Sequence, residues 1–114
     1  GTFSGDLTVD TNTLYVDSSN NRVGIRTSSP AQNLHVHQDD SGASRTVFTN
    51  TTTGTSGSDG FLVGINSSEQ AVLQMLENKE MLFYTNNTER MRIDSSGDVG
   101  IGTTNAFAKL VVIY

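Results

Sequence analysis

Apolar and polar residues alternate along most of this chain. Leu7 with Val9, and Val23 with Ile25, repeat at a period of two, which is typical of a strand with one apolar face. Helical periodicity is nearly absent. The alternating segments recur about every ten residues between clusters of Asp, Asn, Ser and Gly. The pattern therefore predicts an all-β protein built from short antiparallel strands and hairpins.

The alternating segments define a series of strands and connections. They cover residues 7–9, 14–16, 23–25, 33–37, 45–49, 61–65, 71–76, 81–84 and 89–94. Ser29-Pro30 predicts a helix N-cap and one helical turn over residues 30–32. Residues 77–80 predict a tight hairpin turn between the two strands beside them. Residues 50–60 contain no apolar side chain, so they predict a long, mobile loop.

One strand-and-turn phrase occurs twice, from Leu14 to Val36 and from Met91 to Val112. The positions that carry the repeat are Asp17, Val23, Gly24, Ile25 and Pro30 in the first copy, and Asp94, Val99, Gly100, Ile101 and Gly102 in the second. Such repetition indicates a modular, extended β-protein, divided here into residues 1–42, 43–88 and 89–114. Glycine within a strand predicts a bulge or the close approach of another backbone. The abrupt ends of the sequence indicate an excerpt of a longer chain.

Composition narrows the functional classes. The chain has 114 residues, a net charge of −5 and an apolar fraction of 34%, below the usual ~45–50%. The core of each chain should be thin, and identical neighbours could supply the missing burial. The seven basic residues are scattered, which argues against nucleic-acid binding. No segment is apolar enough for a membrane span, and no cysteine is present for disulfide or thiol chemistry.

No enzyme motif occurs in the sequence, and we predict neither catalysis nor a cofactor. His35 and His37 share a strand face near Asp39 and Asp40, but two histidines without a third placed ligand are weak support for a metal or acid–base site. Asp94 and Asp98 could pair as carboxylates. Both lie in a turn of the repeat, where aspartate usually binds nearby backbone.

Other polar groups have one functional and one ordinary interpretation. The turns at Asp17 and Asp94 could supply oxygen ligands to calcium, although they lack the spacing of an EF-hand. The Asn50, Asn66 and Asn86 triplets match glycosylation acceptors that a composition rich in Asn, Ser and Thr produces by chance. The remaining candidates are two arginines that face solvent or another chain, and two tyrosines that could stack on sugars: Arg90, Arg92, Tyr15 and Tyr84.

Residues 21–25 with 27–30, and residues 90–104, resemble a phrase familiar from bacteriophage tail fibres. That phrase reads approximately Met-Arg-Ile, a turn, Val-Gly-Ile-Gly-Thr, two variable residues and Pro. Two departures are Arg26, in place of the second glycine, and Ala106-Phe107, in place of the proline. The resemblance implies a homotrimeric fibre on the virion that attaches to a glycan or protein receptor on a bacterial surface.

These observations predict a structural segment of a viral tail fibre that spaces or presents a receptor-binding tip. Its expected partners are further copies of itself and a bacterial surface receptor, with no nucleic acid and no inserted membrane. A secreted, monomeric carbohydrate-binding β module is the alternative. A glycan-degrading enzyme is the third possibility, which a groove lined by paired carboxylates would favour.

Overall fold

The computed structural model describes residues 1–114 and is all-β, as the alternation predicts. It contains eleven short strands and no helix. The strands are β1 Leu7–Val9, β2 Leu14–Asp17, β3 Arg22–Ile25, β4 Leu34–Val36, β5 Ser44–Phe48, β6 Phe61–Ile65, β7 Ala71–Met75, β8 Met81–Thr85, β9 Thr88–Ile93, β10 Val99–Ile101 and β11 Leu110–Val112.

The strands form three sheets, ordered β1-β2-β3-β4, β5-β6-β7 and β11-β10-β9-β8. Two compact units are present. The first unit comprises residues 1–47 and 62–73, and the second comprises residues 48–61 and 74–114. One four-stranded sheet lies in each unit. Because β8 pairs with β9, a strand from the predicted central segment joins the sheet of the predicted C-terminal segment.

The sequence repeat is also a repeat of backbone structure. In the first unit Val23 lies opposite Leu34, and in the second Val99 lies opposite Leu110. Equivalent backbone bonds close both copies: Val23 N–H donates to the Asn33 carbonyl at 2.8 Å, and Val99 N–H donates to the Lys109 carbonyl at 3.0 Å. These last strand pairs, β3–β4 and β10–β11, are parallel and are exceptions to the predicted antiparallel pairing, which the structure otherwise confirms.

The structural repeat begins one strand earlier than the repeated sequence phrase, which starts at Leu14 and at Met91. Leu7 lies opposite Val16 in the first unit, and Met81 lies opposite Ile93 in the second. The β1–β2 hairpin and the β8–β9 hairpin are therefore equivalent. A register shift between Phe83 and Tyr84 lengthens the second hairpin, which hides the equivalence in the sequence.

The helical turn predicted over residues 30–32 is absent. Thr27 Oγ1 instead accepts a bond from the Ser29 N–H at 3.2 Å, and Thr103 Oγ1 accepts one from the Asn105 N–H at 3.1 Å. These bonds satisfy the backbone in a turn with no helical continuation. Residues 26–33 and 102–109 must cross over the sheet within a short length to reach a parallel strand, which leaves no room for a helix.

The predicted hairpin at residues 77–80 is also wrong, since β7 pairs with β6 and β8 pairs with β9. The segment instead connects two sheets. The Glu77 carboxylate accepts the Gly60 N–H at 2.9 Å, and the Leu76 N–H donates to the Gly60 carbonyl at 2.9 Å. These two bonds hold the end of β7 beside the start of β6, which directs the following residues away from β7.

Local hydrogen bonds organise the polar loop at residues 50–60. Asn50 Oδ1 accepts the N–H groups of Thr52 and Thr53 at 2.9 and 3.0 Å. At the other end of the loop, Asp59 Oδ2 accepts the Ser56 N–H at 2.8 Å. Side-chain oxygens thus replace the apolar contacts that the loop lacks.

Candidate assembly surface

The four-stranded sheet of the first unit has one face made entirely of aliphatic side chains. Residues directly opposite each other on paired strands lie on the same face, and the register places two aliphatic rows across all four strands. We call this surface the first apolar face; its rows are Leu7, Val16, Val23, Leu34 and Val9, Leu14, Ile25, Val36.

The second unit has the equivalent surface, which we call the second apolar face. Its rows are Met81, Ile93, Val99, Leu110 and Phe83, Met91, Ile101, Val112. Methionine and phenylalanine replace aliphatic residues on β8 and β9, while the two rows keep the same register. Strand alternation thus gives each copy a surface with no polar side chain in either row.

Neither apolar face is fully covered within its own unit. The first is covered in part, because Phe3 shares a cavity with Leu7, Val16 and Val23, and Val63 and Ile65 share another with Leu34 and Val36. No side chain in the four rows is buried, and Leu34 and Leu110 are 62% and 61% exposed. Val111, on the opposite side of its sheet, is the one buried aliphatic side chain other than Pro30, at 6% exposure. The sheets therefore form without the core that usually stabilises them.

The solvent-accessible surface area measures how much more surface the chain exposes than a compact protein of its mass. The chain exposes 8254 Å². A compact 12.2 kDa protein exposes about 6,100 Å², and two separate compact units of half that mass expose about 7,300 Å² together. The chain therefore exposes an excess of about 950 Å² even by the second standard, which is close to the ~800 Å² that each partner buries in a standard interface.

The repeat glycines lie on the opposite side of each sheet, where the chain's own crossover covers them. The Thr27 carbonyl oxygen occupies the space that a Cβ at Gly24 would need, and a Cβ at Gly100 would lie 2.8 Å from the Thr103 carbonyl oxygen. The close backbone predicted at these glycines is therefore present. It belongs to the same chain, three residues ahead, and needs no neighbouring copy.

Arg26 and Gly102 occupy equivalent positions after β3 and β10, and both have left-handed backbone, with φ values of 61° and 75°. Glycine adopts this conformation without steric cost, whereas arginine does not. The Arg26 guanidinium contacts Asp39 at 3.1 Å and Gln38 at 2.9 Å. The departure from the tail-fibre phrase thus alters the side chain and retains the turn.

Asp17 and Asp94 organise the equivalent turns after β2 and β9. Asp17 Oδ1 accepts the N–H groups of Ser19 and Asn20, each at 3.0 Å, and Asp94 Oδ1 accepts those of Ser96 and Asp98, each at 2.9 Å. The Asn20 side chain lowers the pKa of Asp17, and the backbone N–H of Asp98 lowers that of Asp94. Both carboxylates are bound to protein groups in the way expected of turn residues.

The polar residues considered for catalysis do not converge on a reaction centre. The rings of His35 and His37 meet edge to face with centroids 6.0 Å apart, and His37 Nε2 lies 3.9 Å from Asp39 Oδ1. No third ligand joins them in a metal-binding arrangement. Asp98 Oδ1 contacts Lys109 Nζ at 2.8 Å rather than the Asp94 carboxylate.

The candidate aromatic and arginine residues lie mainly in local contacts. Tyr15 Oη donates to Asp6 Oδ2 at 2.6 Å, whereas Tyr84 is 54% exposed. Arg90 donates to Thr85 Oγ1 at 3.0 Å, and Arg92 forms two bonds with Glu89 at 2.5 and 2.8 Å. Arg92 faces away from the second apolar face, as the alternation predicts.

The asparagines of the three glycosylation triplets occupy turns. Asn66 Oδ1 accepts the N–H groups of Ser68 and Gln70, in the same manner as Asn50 in its loop. Asn86 has a φ of 47°, a conformation that asparagine tolerates well. Turn geometry accounts for all three residues.

No protein-family model and no curated protein matches this chain. The structure contains no helix with the length and apolar character needed to cross a membrane.

Proposed function

We propose that this chain is a structural segment of a bacteriophage tail fibre, assembled as a homotrimer on the virion. Three copies would bury their apolar faces against one another, and the assembled segment would space or present a receptor-binding tip. The observation that carries the proposal is the pair of incompletely covered apolar faces, equivalent in register. The number three and the attachment role come from the resemblance of residues 90–104 to tail-fibre phrases.

The burial available to association can be compared with its cost. About 450 Å² of the ~800 Å² buried per chain in a standard interface is apolar, which supplies about 11 kcal/mol at roughly 25 cal/mol per Å². Loss of translational and rotational freedom costs about 4–15 kcal/mol on association. The gain lies within the range of the cost, so stable association requires complementary surfaces. Copies of the same chain can meet this condition by symmetry.

Light scattering of the purified chain at micromolar concentration tests the proposal. We expect a mass three times that of the 12.2 kDa chain. Leu34→Asp and Leu110→Asp should each shift the protein to a folded monomer, because both side chains lie largely in solvent within a single chain. Circular dichroism would verify that the strands remain.

Thr8→Asp is the matched control, since Thr8 is exposed on the opposite side of the first sheet. It adds the same charge and should leave the trimer intact. A folded wild-type monomer would contradict the proposal and favour the monomeric carbohydrate-binding module.

A further inference from the structure

We propose that a groove in the first unit binds an acidic saccharide, with Arg45 as the residue that receives its carboxylate. The groove is bounded by β4, the loop after it, β5 and β6, and its volume is about 550 Å³. Ligand sites usually measure about 300–1,000 Å³. All its lining residues belong to one unit. Leu34 and Val36 line the groove and also lie on the first apolar face, whereas Arg45 lies outside the rows of that face.

Arg45 is the only arginine whose side chain has no partner in the chain. The other four bind a carboxylate, a hydroxyl, an amide or a carbonyl oxygen: Arg22 binds the Pro30 carbonyl, Arg26 binds Asp39 and Gln38, Arg90 binds Thr85, and Arg92 binds Glu89. Arg45 is exposed along the groove, so its guanidinium is free to form a bidentate pair with a carboxylate.

His35 adds a second donor on the groove wall. Its Nδ1 accepts the Ala31 N–H at 3.2 Å. The proton of the neutral ring is therefore assigned to Nε2, which becomes a donor. His37 is half exposed beside it on the same wall. Two imidazoles and a guanidinium thus supply donors to a bound anion.

The groove also offers free acceptors, which distinguish a saccharide from a simple anion. Asp40 Oδ1 accepts bonds from Gln38 Nε2 at 2.9 Å and the Gly42 N–H at 2.7 Å, whereas Asp40 Oδ2 accepts none. The Glu69 carboxylate has no hydrogen-bond partner in the chain. Ligand hydroxyls can donate to both carboxylates, which an anion without hydroxyls cannot do.

Apolar side chains complete the lining. Val63 and Ile65 lie in the groove and are 38% and 43% exposed. A pyranose ring carries C–H groups on its faces, hydroxyls at its edge and, in a sugar acid, one carboxylate. This combination matches an apolar patch flanked by free acceptors and an unpaired arginine.

Saturation-transfer NMR on the full chain, in its own oligomeric state, tests the site with three probes. D-glucuronate should bind, while D-glucose, which lacks the carboxylate, and acetate, which lacks the hydroxyls, should each bind about tenfold more weakly. Arg45→Gln should weaken glucuronate binding about tenfold, the loss expected when one charge-assisted contact is removed.

Lys79→Gln is the matched control, since it removes one positive charge outside the groove and should leave glucuronate binding unchanged. Arg45→Lys retains the positive charge but removes the planar guanidinium that forms two parallel hydrogen bonds with a carboxylate. It should therefore give intermediate binding. The proposal fails if glucuronate does not bind, if acetate binds equally well, or if both charge-removing variants lose binding alike.

Discussion

The four-stranded sheets of the two units have the same topology but differ on the side opposite their apolar faces. The central row of that side reads Thr8, Tyr15, Gly24 and His35 in the first unit, and Leu82, Arg92, Gly100 and Val111 in the second. Only the glycine is common to both rows. The comparison separates positions at which the sheet requires one residue type from positions at which the side chain can differ between the two copies.

Different interactions stabilise the equivalent positions. In the first unit the Tyr15 hydroxyl is bound to Asp6, and this bond raises the pKa of Tyr15. In the second, Arg92 occupies the equivalent position and pairs with Glu89. The two sheets are therefore built alike without sharing these contacts, which identifies the apolar rows, the glycine and the crossover as the common requirements.

The largest effect should come from filling the space above the repeat glycines. We expect Gly100→Val to lower the free energy of unfolding by about 3 kcal/mol, because the new side chain would displace the crossover backbone. Gly24→Val should cost at least as much, since the Thr27 carbonyl lies closer still to residue 24. Urea unfolding of each variant measures the cost.

Ser96→Ala serves as the control for both glycine variants, because the Ser96 side chain is exposed in a turn. It should change stability by less than about 0.5 kcal/mol. Equal midpoints for Gly100→Val and Ser96→Ala would show that the crossover does not pack on the glycine.

A smaller effect should distinguish the two left-handed positions. Gly102→Ala should destabilise the chain by about 1–2 kcal/mol, since it adds left-handed strain and places a Cβ against the Ile113 carbonyl. Arg26→Gly should be nearly neutral: relief of strain is offset by a more flexible unfolded chain and by loss of an exposed ion pair. Thermal unfolding of the two variants measures the difference, and a more damaging Arg26→Gly would refute the equivalence.

The sequence alone predicts the fold class, the apolar positions of each strand and the turns at Asp17 and Asp94. These features depend on alternation and on local hydrogen bonds, both of which are visible in a short window of residues. The parallel pairing of β3 with β4 depends instead on the length and path of the crossover between them. The Ser29-Pro30 pattern, which is typical of a helix start, gives the wrong prediction for this crossover. The equivalence of β1 with β8 is concealed by the irregularity at Tyr84.

The two apolar faces are only partly predictable from the sequence, because they too depend on how distant strands pair. Alternation gives the apolar face of each strand, but only the register aligns four strands into continuous rows. The sequence predicts a close backbone at Gly24 and Gly100 without showing which segment supplies it, because no local pattern shows that the crossover returns over its own sheet. Arg45 carries no sequence motif at all; its missing partner becomes evident only in the structure.

The carboxylates of the two equivalent turns should make the chain sensitive to acid. The pKa values of Asp17 and Asp94 are lowered from 3.8 in the folded chain. Their contribution to stability is therefore present above pH 3.8 and is lost as the pH falls through the lowered values. We expect Asp17→Asn and Asp94→Asn to lower the melting temperature at pH 7 and to flatten its dependence on pH below 3.8.

Asp10→Asn is the control for these variants, since the Asp10 carboxylate accepts no hydrogen bond from the chain and only its backbone carbonyl does. It should follow the wild-type profile at every pH. If Asp17→Asn and Asp94→Asn retain the wild-type acid dependence, other carboxylates control acid unfolding.

The smallest effect concerns an ion pair present in the second copy alone. Lys109 Nζ lies 2.8 Å from Asp98 Oδ1, whereas the equivalent residues of the first copy are Asn33 and Arg22, which form no such pair. The lysine side chain is 81% exposed, so solvent weakens the attraction. Lys109→Gln should lower the melting temperature slightly in low salt and by less in high salt.

Asn33→Gln makes an uncharged change at the equivalent exposed position and should show no dependence on salt. Lys109→Gln leaves the backbone in place, so the Lys109 carbonyl oxygen can still accept the Val99 N–H, at 3.0 Å in the wild-type chain. A large, salt-independent loss in Lys109→Gln would mean that the lysine supports the crossover by packing rather than by charge. In that case the second crossover would need a side-chain anchor that the first does not.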